Sequence, residues 1–196
     1  MPDRGTQILQ AAARLIARRG VRGLRVEEVA AEAGVSTALI YYHFKDRSGL
    51  LRRTLEFINK RAVRYTDAAL DPSADPRTQL TDMLLLELQD TPEVRENSAA
   101  WGELRATAVF DPDLREDLAA ATGAWVDDLS HLIRQAQKVG LATPEAGPEA
   151  AAERLTALVE GLSERWLTGL VPLERARELL RDAIALELGQ PPHSHA

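Results

Sequence analysis

Residues 26–45 read VEEVAAEAGVSTALIYYHFK, and their spacing decides the fold. The pattern is that of a helix-turn-helix: a short helix, a turn at Gly34, and a second helix able to enter a DNA groove. Ala30 is small where the two helices would cross, and a longer side chain there would push them apart. Gly34 comes four residues later, where the chain must reverse with a positive φ that glycine takes without a Cβ penalty. Ile40 is apolar where the second helix must pack back on the first, and Val29, Ala33 and Val35 complete the seam. A generic helical hairpin shares the glycine cap. It does not place small, turn and apolar positions in one register.

Charge separates the chain into two parts. The net charge of −6 argues against nucleic acid when taken alone. Residues 1–65, however, hold 13 Lys+Arg and 6 Asp+Glu, a net of +7, while residues 66–196 hold 11 and 24, a net of −13. A cationic head on an anionic body suits a DNA-binding module joined to something else. The 196 residues suffice for such a head plus a larger body, and 45% hydrophobic residues supply a core. The absence of cysteine excludes a disulfide framework, a thiolate metal site and a thiol nucleophile. No apolar run approaches the roughly 18–20 residues that span a bilayer. The amphipathic, charged start MPDRGTQILQAAARLIARRG is unlike a signal peptide, so a cytoplasmic protein with no membrane partner is expected.

The periodicity is helical throughout, which predicts an all-α fold of about nine helices. The first is expected from Asp3 to Arg19, with Ile8, Ala12, Leu15 and Ile16 on one face and Gly20 as its stop. The second begins near Val26 and the third near Ser36, a natural N-cap. A long fourth, Arg47 to Ala69, starts in the basic head and ends in the body. Further helices are expected at 76–90, 92–109, 111–139, 148–169 and 172–188, with Pro92 and Pro112 each in a first turn. The domain reading is a DNA-binding head over 1–46, a ligand-binding and dimerisation domain over 47–189, and a disordered tail over 190–196.

The last two helices carry more apolar residues than one core face needs. Leu155, Leu158, Val159, Leu162 and Trp166 stripe the eighth, with Gly161 small enough for another helix to approach. Leu179, Leu180, Ala183, Ile184, Leu186 and Leu188 cover more than half of the ninth. They read either as a buried core pair or as a pair that also dimerises. DNA-reading hairpins work mostly as two-fold pairs, which favours dimerisation through Leu158, Gly161, Leu162, Leu179, Ala183 and Ile184.

The stretch GVSTALIYYHFKDRSGLL, with GLRVEEVAAEAGVS before it, resembles the signature of TetR-family transcriptional regulators over about residues 5–55. The body is more loosely similar to the subgroup of choline-responsive BetI-like repressors, at Trp101, FDPDLREDL, Trp125 and RQAQKVGLA. The resemblance implies a homodimer through the last two helices, a ligand cavity in the body, and repression by operator binding that a small effector relieves. Two positions depart from the family. Arg25 stands where a Thr or Ser cap is usual, and Leu39 is less polar than the common residue.

The expected DNA-binding residues are Arg25, Ser36, Thr37, Ala38, Leu39, Tyr41, Tyr42, His43, Lys45 and Arg47. Thr37 and Leu39 suit base edges, Leu39 through a thymine methyl. Ser36, Tyr41, Tyr42, His43, Lys45 and Arg47 suit phosphate positioning, and Arg25 can also reach a phosphate. Against this, Tyr41 reads as core, His43 as a helix cap, and Lys45 as a solvated charge at the start of the fourth helix. Expected effector-binding residues are Tyr65, Glu87, Trp101, Phe110, Trp125, Asp128 and Trp166. Aromatic faces with buried carboxylates suit a cationic ligand. The competing reading makes the tryptophans core and the carboxylates solvated.

No metalloprotease, nucleophile-elbow or phosphate-loop motif occurs, so no enzyme, cofactor or metal is expected. His131 stands alone, and His193 and His195 lie in the tail. The rival function is an all-α ligand-binding or adaptor protein whose degenerate head binds no DNA.

Overall fold

The computed structural model describes residues 3–189; the tail, including His193 and His195, lies outside the described residues. Among the described residues the chain forms nine α-helices and no strand: α1 (Arg4–Arg19), α2 (Val26–Ala33), α3 (Thr37–Phe44), α4 (Arg47–Ala69), α5 (Pro76–Leu86), α6 (Pro92–Ala108), α7 (Pro112–Lys138), α8 (Pro148–Leu167) and α9 (Leu173–Leu188). None is long and apolar enough to cross a membrane.

Local chemistry sets most boundaries. Asp3 caps α1 by accepting the Thr6 N–H at 3.0 Å, and Ser36 caps α3 by accepting the Leu39 N–H at 3.2 Å. Asp75 caps α5 through the N–H groups of Arg77 and Thr78, with Pro76 in the first turn. Asp46 accepts the Gly49 N–H at 2.7 Å where α4 begins. Gly34 ends α2 in the left-handed region at φ 65°, ψ 38°, and the Val35 N–H reaches back to the Ala30 carbonyl at 2.9 Å. A Cβ at Gly34 would meet nothing within 4 Å, so the turn needs glycine for its dihedral rather than for space.

The chain divides into two compact units: Met1–Arg64 with Pro92–Ala121, and Tyr65–Thr91 with Thr122–Ala196. This division does not follow a cut at residue 46. The reason is α6, whose Ala100, Leu104 and Ala108 are buried in the same core as Ile8, Ala12, Leu15 and Ile16 of α1. That core also takes Val29, Ala30, Ile40 and Phe44 from the helix-turn-helix and Leu51, Leu55 and Ile58 from α4. Each such large side chain contributes about 1.5–3 kcal/mol by leaving water.

The second unit has its own core, built on Leu80, Leu84 and Leu88, Leu129 and Ile133, Leu155, Val159 and Trp166, and Leu180, Ile184 and Leu188. Arg77 ties its ends together, donating to the carbonyls of Leu141 at 2.8 Å and Gly189 at 2.6 Å. A cation at the C-terminal end of α9 also complements the helix dipole.

One helix end differs from the sequence expectation. α5 stops at Leu86, not near residue 90, because its last turn tightens: the N–H groups of Glu87 and Leu88 bond three residues back, to Leu84 and Leu85. Gln89 then donates to the Leu86 carbonyl at 2.9 Å, and Arg177 of α9 to the Leu88 carbonyl at 3.0 Å.

Candidate nucleic-acid interface

The eight residues of α3 turn two apolar side chains inward and leave the rest for the surface. Ile40 and Phe44, four apart, are 1% and 7% exposed and pin the helix to the first core. Tyr42 is 82% exposed and Tyr41 48%, far more than core aromatics allow. Ser36, Ala38 and His43 are also exposed, while Thr37 and Leu39 are half-buried. The Tyr42 and His43 rings meet edge-on at 5.4 Å, which orients both at the end of the helix.

The surrounding cations fall into two groups. Arg14 and Arg18 both pair with Glu32, and Arg19 pairs with Glu28, so these three brace α1 against α2. The two arginines hold the exposed Glu32 carboxyl below the usual glutamate range, Arg14 foremost. The Arg25 and Lys45 side chains are exposed and make no hydrogen bond or ion pair with other described residues. Arg25 is the N-cap of α2 but offers no side-chain cap. Lys45 does not begin α4; it is the C-cap of α3, at φ 65°, ψ −56°, with its N–H on the Tyr41 carbonyl at 2.9 Å. It is the one non-glycine residue with positive φ among the described residues. Such strain persists where the surroundings over-determine it and clusters at functional sites.

Arg47 is placed differently from its expected phosphate role. Its guanidinium donates to the carbonyls of Val21 at 2.5 Å and Leu24 at 3.4 Å, bracing the loop between α1 and α2.

The residues expected to hold an effector are not gathered in one place. Trp101 packs on the first core and Phe110, 79% exposed, occupies the turn between α6 and α7 in the first unit. Tyr65, Glu87, Trp125, Asp128 and Trp166 belong to the second. Trp166 is core at 6% exposure, and Trp125 is half-buried against the same core. The Tyr65 hydroxyl lies 3.1 Å from both carboxylate oxygens of Glu87 and donates to them. Burial pushes the Glu87 carboxyl up to about 7, opposed only in part by that hydroxyl. Asp128 is also raised, by burial first and then by repulsion from Asp127 and Asp67, with His131 opposing. No sequence signal pointed to Thr66 and Thr156, 3% and 5% exposed, whose buried hydroxyl oxygens have no partner in the second unit.

Of the six residues expected to pair two copies, Leu162 and Ile184 are already buried in the second core. Leu158, Leu179 and Ala183 pack on its edge, and a Cβ on Gly161 would meet open space. Leu186, on the ninth helix, is 86% exposed.

Comparison with known proteins agrees with this geometry. Residues 8–54 match the model of bacterial regulatory proteins of the tetR family, and residues 76–189 match that of the BetI-type transcriptional repressor C-terminal region. The HTH-type transcriptional regulator BetI of Brucella melitensis is 27% identical over 193 residues, covering 97% of this chain and 94% of that protein. A crystal structure assigned to the TetR family from Rhodococcus sp. is 49% identical, covers 96% of this chain and all of its own, and superposes with a TM-score of 0.89. A regulator from Saccharomonospora viridis, solved in complex with choline, is 30% identical, covers 94% and 96%, and gives 0.84. These matches do not favour an adaptor with a degenerate head. The chain belongs to the tetR family of bacterial regulatory proteins, with a C-terminal region of the BetI repressor type, and is a DNA-binding transcriptional regulator.

Proposed function

We propose that the protein is a cytoplasmic repressor that binds a palindromic operator as a homodimer and releases it on binding a small organic cation. The observation that carries the DNA half is the outward face of α3. Tyr42 stands 82% exposed near the unpaired cation of Lys45, while Arg14, Arg18 and Arg19 are engaged in ion pairs. Tyr42, His43, Lys45 and Arg25 position the phosphates; Thr37 and Leu39 face the base edges. Two copies pair through the edges of α8 and α9, and successive major grooves require their recognition helices to sit about 34–36 Å apart.

The effector half rests on Glu87. A carboxylate drawn out of water, with the Tyr65 hydroxyl as its hydrogen-bond donor, lacks a cation, and a ligand of positive charge supplies it. The choline complex of the Saccharomonospora viridis relative agrees in charge. Effector and operator affinities are then reciprocally coupled.

Fluorescence anisotropy with DNA from the promoter region of its own gene tests the first half. Tight, salt-sensitive binding is expected; none with any upstream fragment refutes it. Calorimetric titration with choline and with polyamines tests the second. Heat together with weakened DNA binding is expected, and silence from both classes removes the cationic effector.

A further inference from the structure

The loop that joins α1 to α2 is held from two directions, and both holds converge on one residue. Val21, 2% exposed, donates its N–H to Oε2 of Glu103 on α6 at 3.1 Å. Its carbonyl accepts Nη2 of Arg47 on α4 at 2.5 Å. Farther along the same two helices, Arg61 of α4 donates to Glu96 at 2.7 Å and Asn97 at 2.9 Å on α6. Glu96 and Glu103 are seven residues apart, two turns or about 10 Å along one side of the helix. So α4 and α6 are tied to each other at one end and to Val21 at the other.

Ala100, Leu104 and Ala108 of α6 also pack in the apolar core that α1 enters. Apolar contact has no direction, and on its own it leaves α1 free to slide or roll on α6. A carboxylate bonded to a backbone N–H has direction and is charge-assisted. The placement is otherwise unfavourable, because a carboxylate at the C-terminal end of α1 opposes the helix dipole. Gly20 makes room for it: a Cβ there would lie 2.7 Å from Oε2 of Glu103. Gly20 at φ 75°, ψ 167° also occupies backbone space essentially confined to glycine.

We propose that Glu103 is a positioning residue for the DNA-reading head, fixing the orientation of α1–α3 on α6 through the Val21 peptide. This rests on the reading of α2 and α3 as the DNA-binding element. A glutamate on the fourth turn of α6 thereby sets DNA affinity without touching DNA.

The test uses spin-label distances, which require neither DNA nor effector. The chain has no cysteine, so Ala31→Cys on α2 and Ala106→Cys on α6, both exposed, take labels at those two sites alone. In the parent the distance distribution is narrow. Glu103→Ala is expected to broaden or displace it, and Glu103→Gln, which keeps an acceptor oxygen, to restore it. If the alanine variant loses cooperative unfolding, Glu103→Asp, which keeps the charge and withdraws the oxygen, is expected to broaden it instead. A distribution in the folded Ala or Asp variant that superposes on the parent's overturns the proposal, as does a Gln variant as broad as the Ala variant. Promoter-DNA affinity of Glu103→Ala should fall about tenfold. If labels respond while no variant, nor the parent, binds DNA, the DNA-binding reading fails and the positioning of the head stands.

Discussion

The surface of α3 and the surroundings of Glu87 carry opposite kinds of incompleteness. On and beside α3, aromatic rings face water and the Lys45 cation, on a strained backbone, has no ion-pair partner among the described residues. Around Glu87 a carboxylate is drawn inside with one tyrosine hydroxyl and no cation. An exposed cation awaiting a phosphate costs the fold little, because water solvates it until DNA arrives. A buried carboxylate is costly, and that cost shifts its titration upward, toward the neutral form. On the proposed function, the first site suits a large polyanion that binds and leaves, and the second a small ligand of opposite charge.

The largest expected effect breaks the comparison at the surface. Tyr42→Ala with Lys45→Ala should weaken operator binding by roughly 100-fold or more with an unchanged circular dichroism spectrum, since phosphate contacts dominate affinity. Retained binding in that double variant sinks the assignment of α3.

The next effect is inside. The Glu87 carboxyl stands at about 7 in the fold against an ordinary 4.5. Its neutral form therefore favours folding fully below pH 4.5, and that contribution is lost as pH rises through 7. The loss is on the order of 3 kcal/mol. Thermal unfolding followed from pH 4.5 to 8 should show the decline, and Glu87→Gln should flatten it. A variant curve parallel to the parent's would mean that Glu87 does not titrate in this range.

Two smaller effects sharpen the surface side. Arg47→Ala should lower head stability by about 2 kcal/mol, because two carbonyls lose a charged donor. It should change the salt dependence of DNA binding little, whereas a phosphate contact would reduce the slope by about one. The smallest concerns the two helix starts. Ser36→Ala should cost about 1 kcal/mol, while Arg25→Ser should gain a few tenths to about 1 by adding the missing cap to α2. Denaturant titration of each variant measures both.

Most of the fold was legible because helix signals are local. Asp3, Ser36, Gly20, Gly34 and the prolines that open α5, α6, α7 and α8 act within four residues of where they stand. The readable exception was the end of α5, where a tightened last turn is locked by Arg177 from α9, 89 residues away. On the recognition helix, the inward pair Ile40 and Phe44 follows from periodicity, and the rest of the face follows from that pair. The hold of Arg47 on the head was not legible, because its partners, Val21 and Leu24, are far along the chain. The aromatic residues expected around an effector shared only composition, which does not specify which core each would enter.

The sequence by itself determined the helical segments, the cap at Ser36 and the stops at Gly20 and Gly34, the apolar seam of the helix-turn-helix and the separation of positive head from negative body. These are properties of neighbours within a turn or two, or of summed charge. Tertiary structure alone decided that α6 joins the core of the DNA-binding head, that Arg47 faces the backbone of that head, and that burial beside Tyr65 raises the Glu87 carboxyl. Each of these depends on a group brought from more than twenty residues away. The loss of water on such a meeting, which no local pattern encodes, sets its energy.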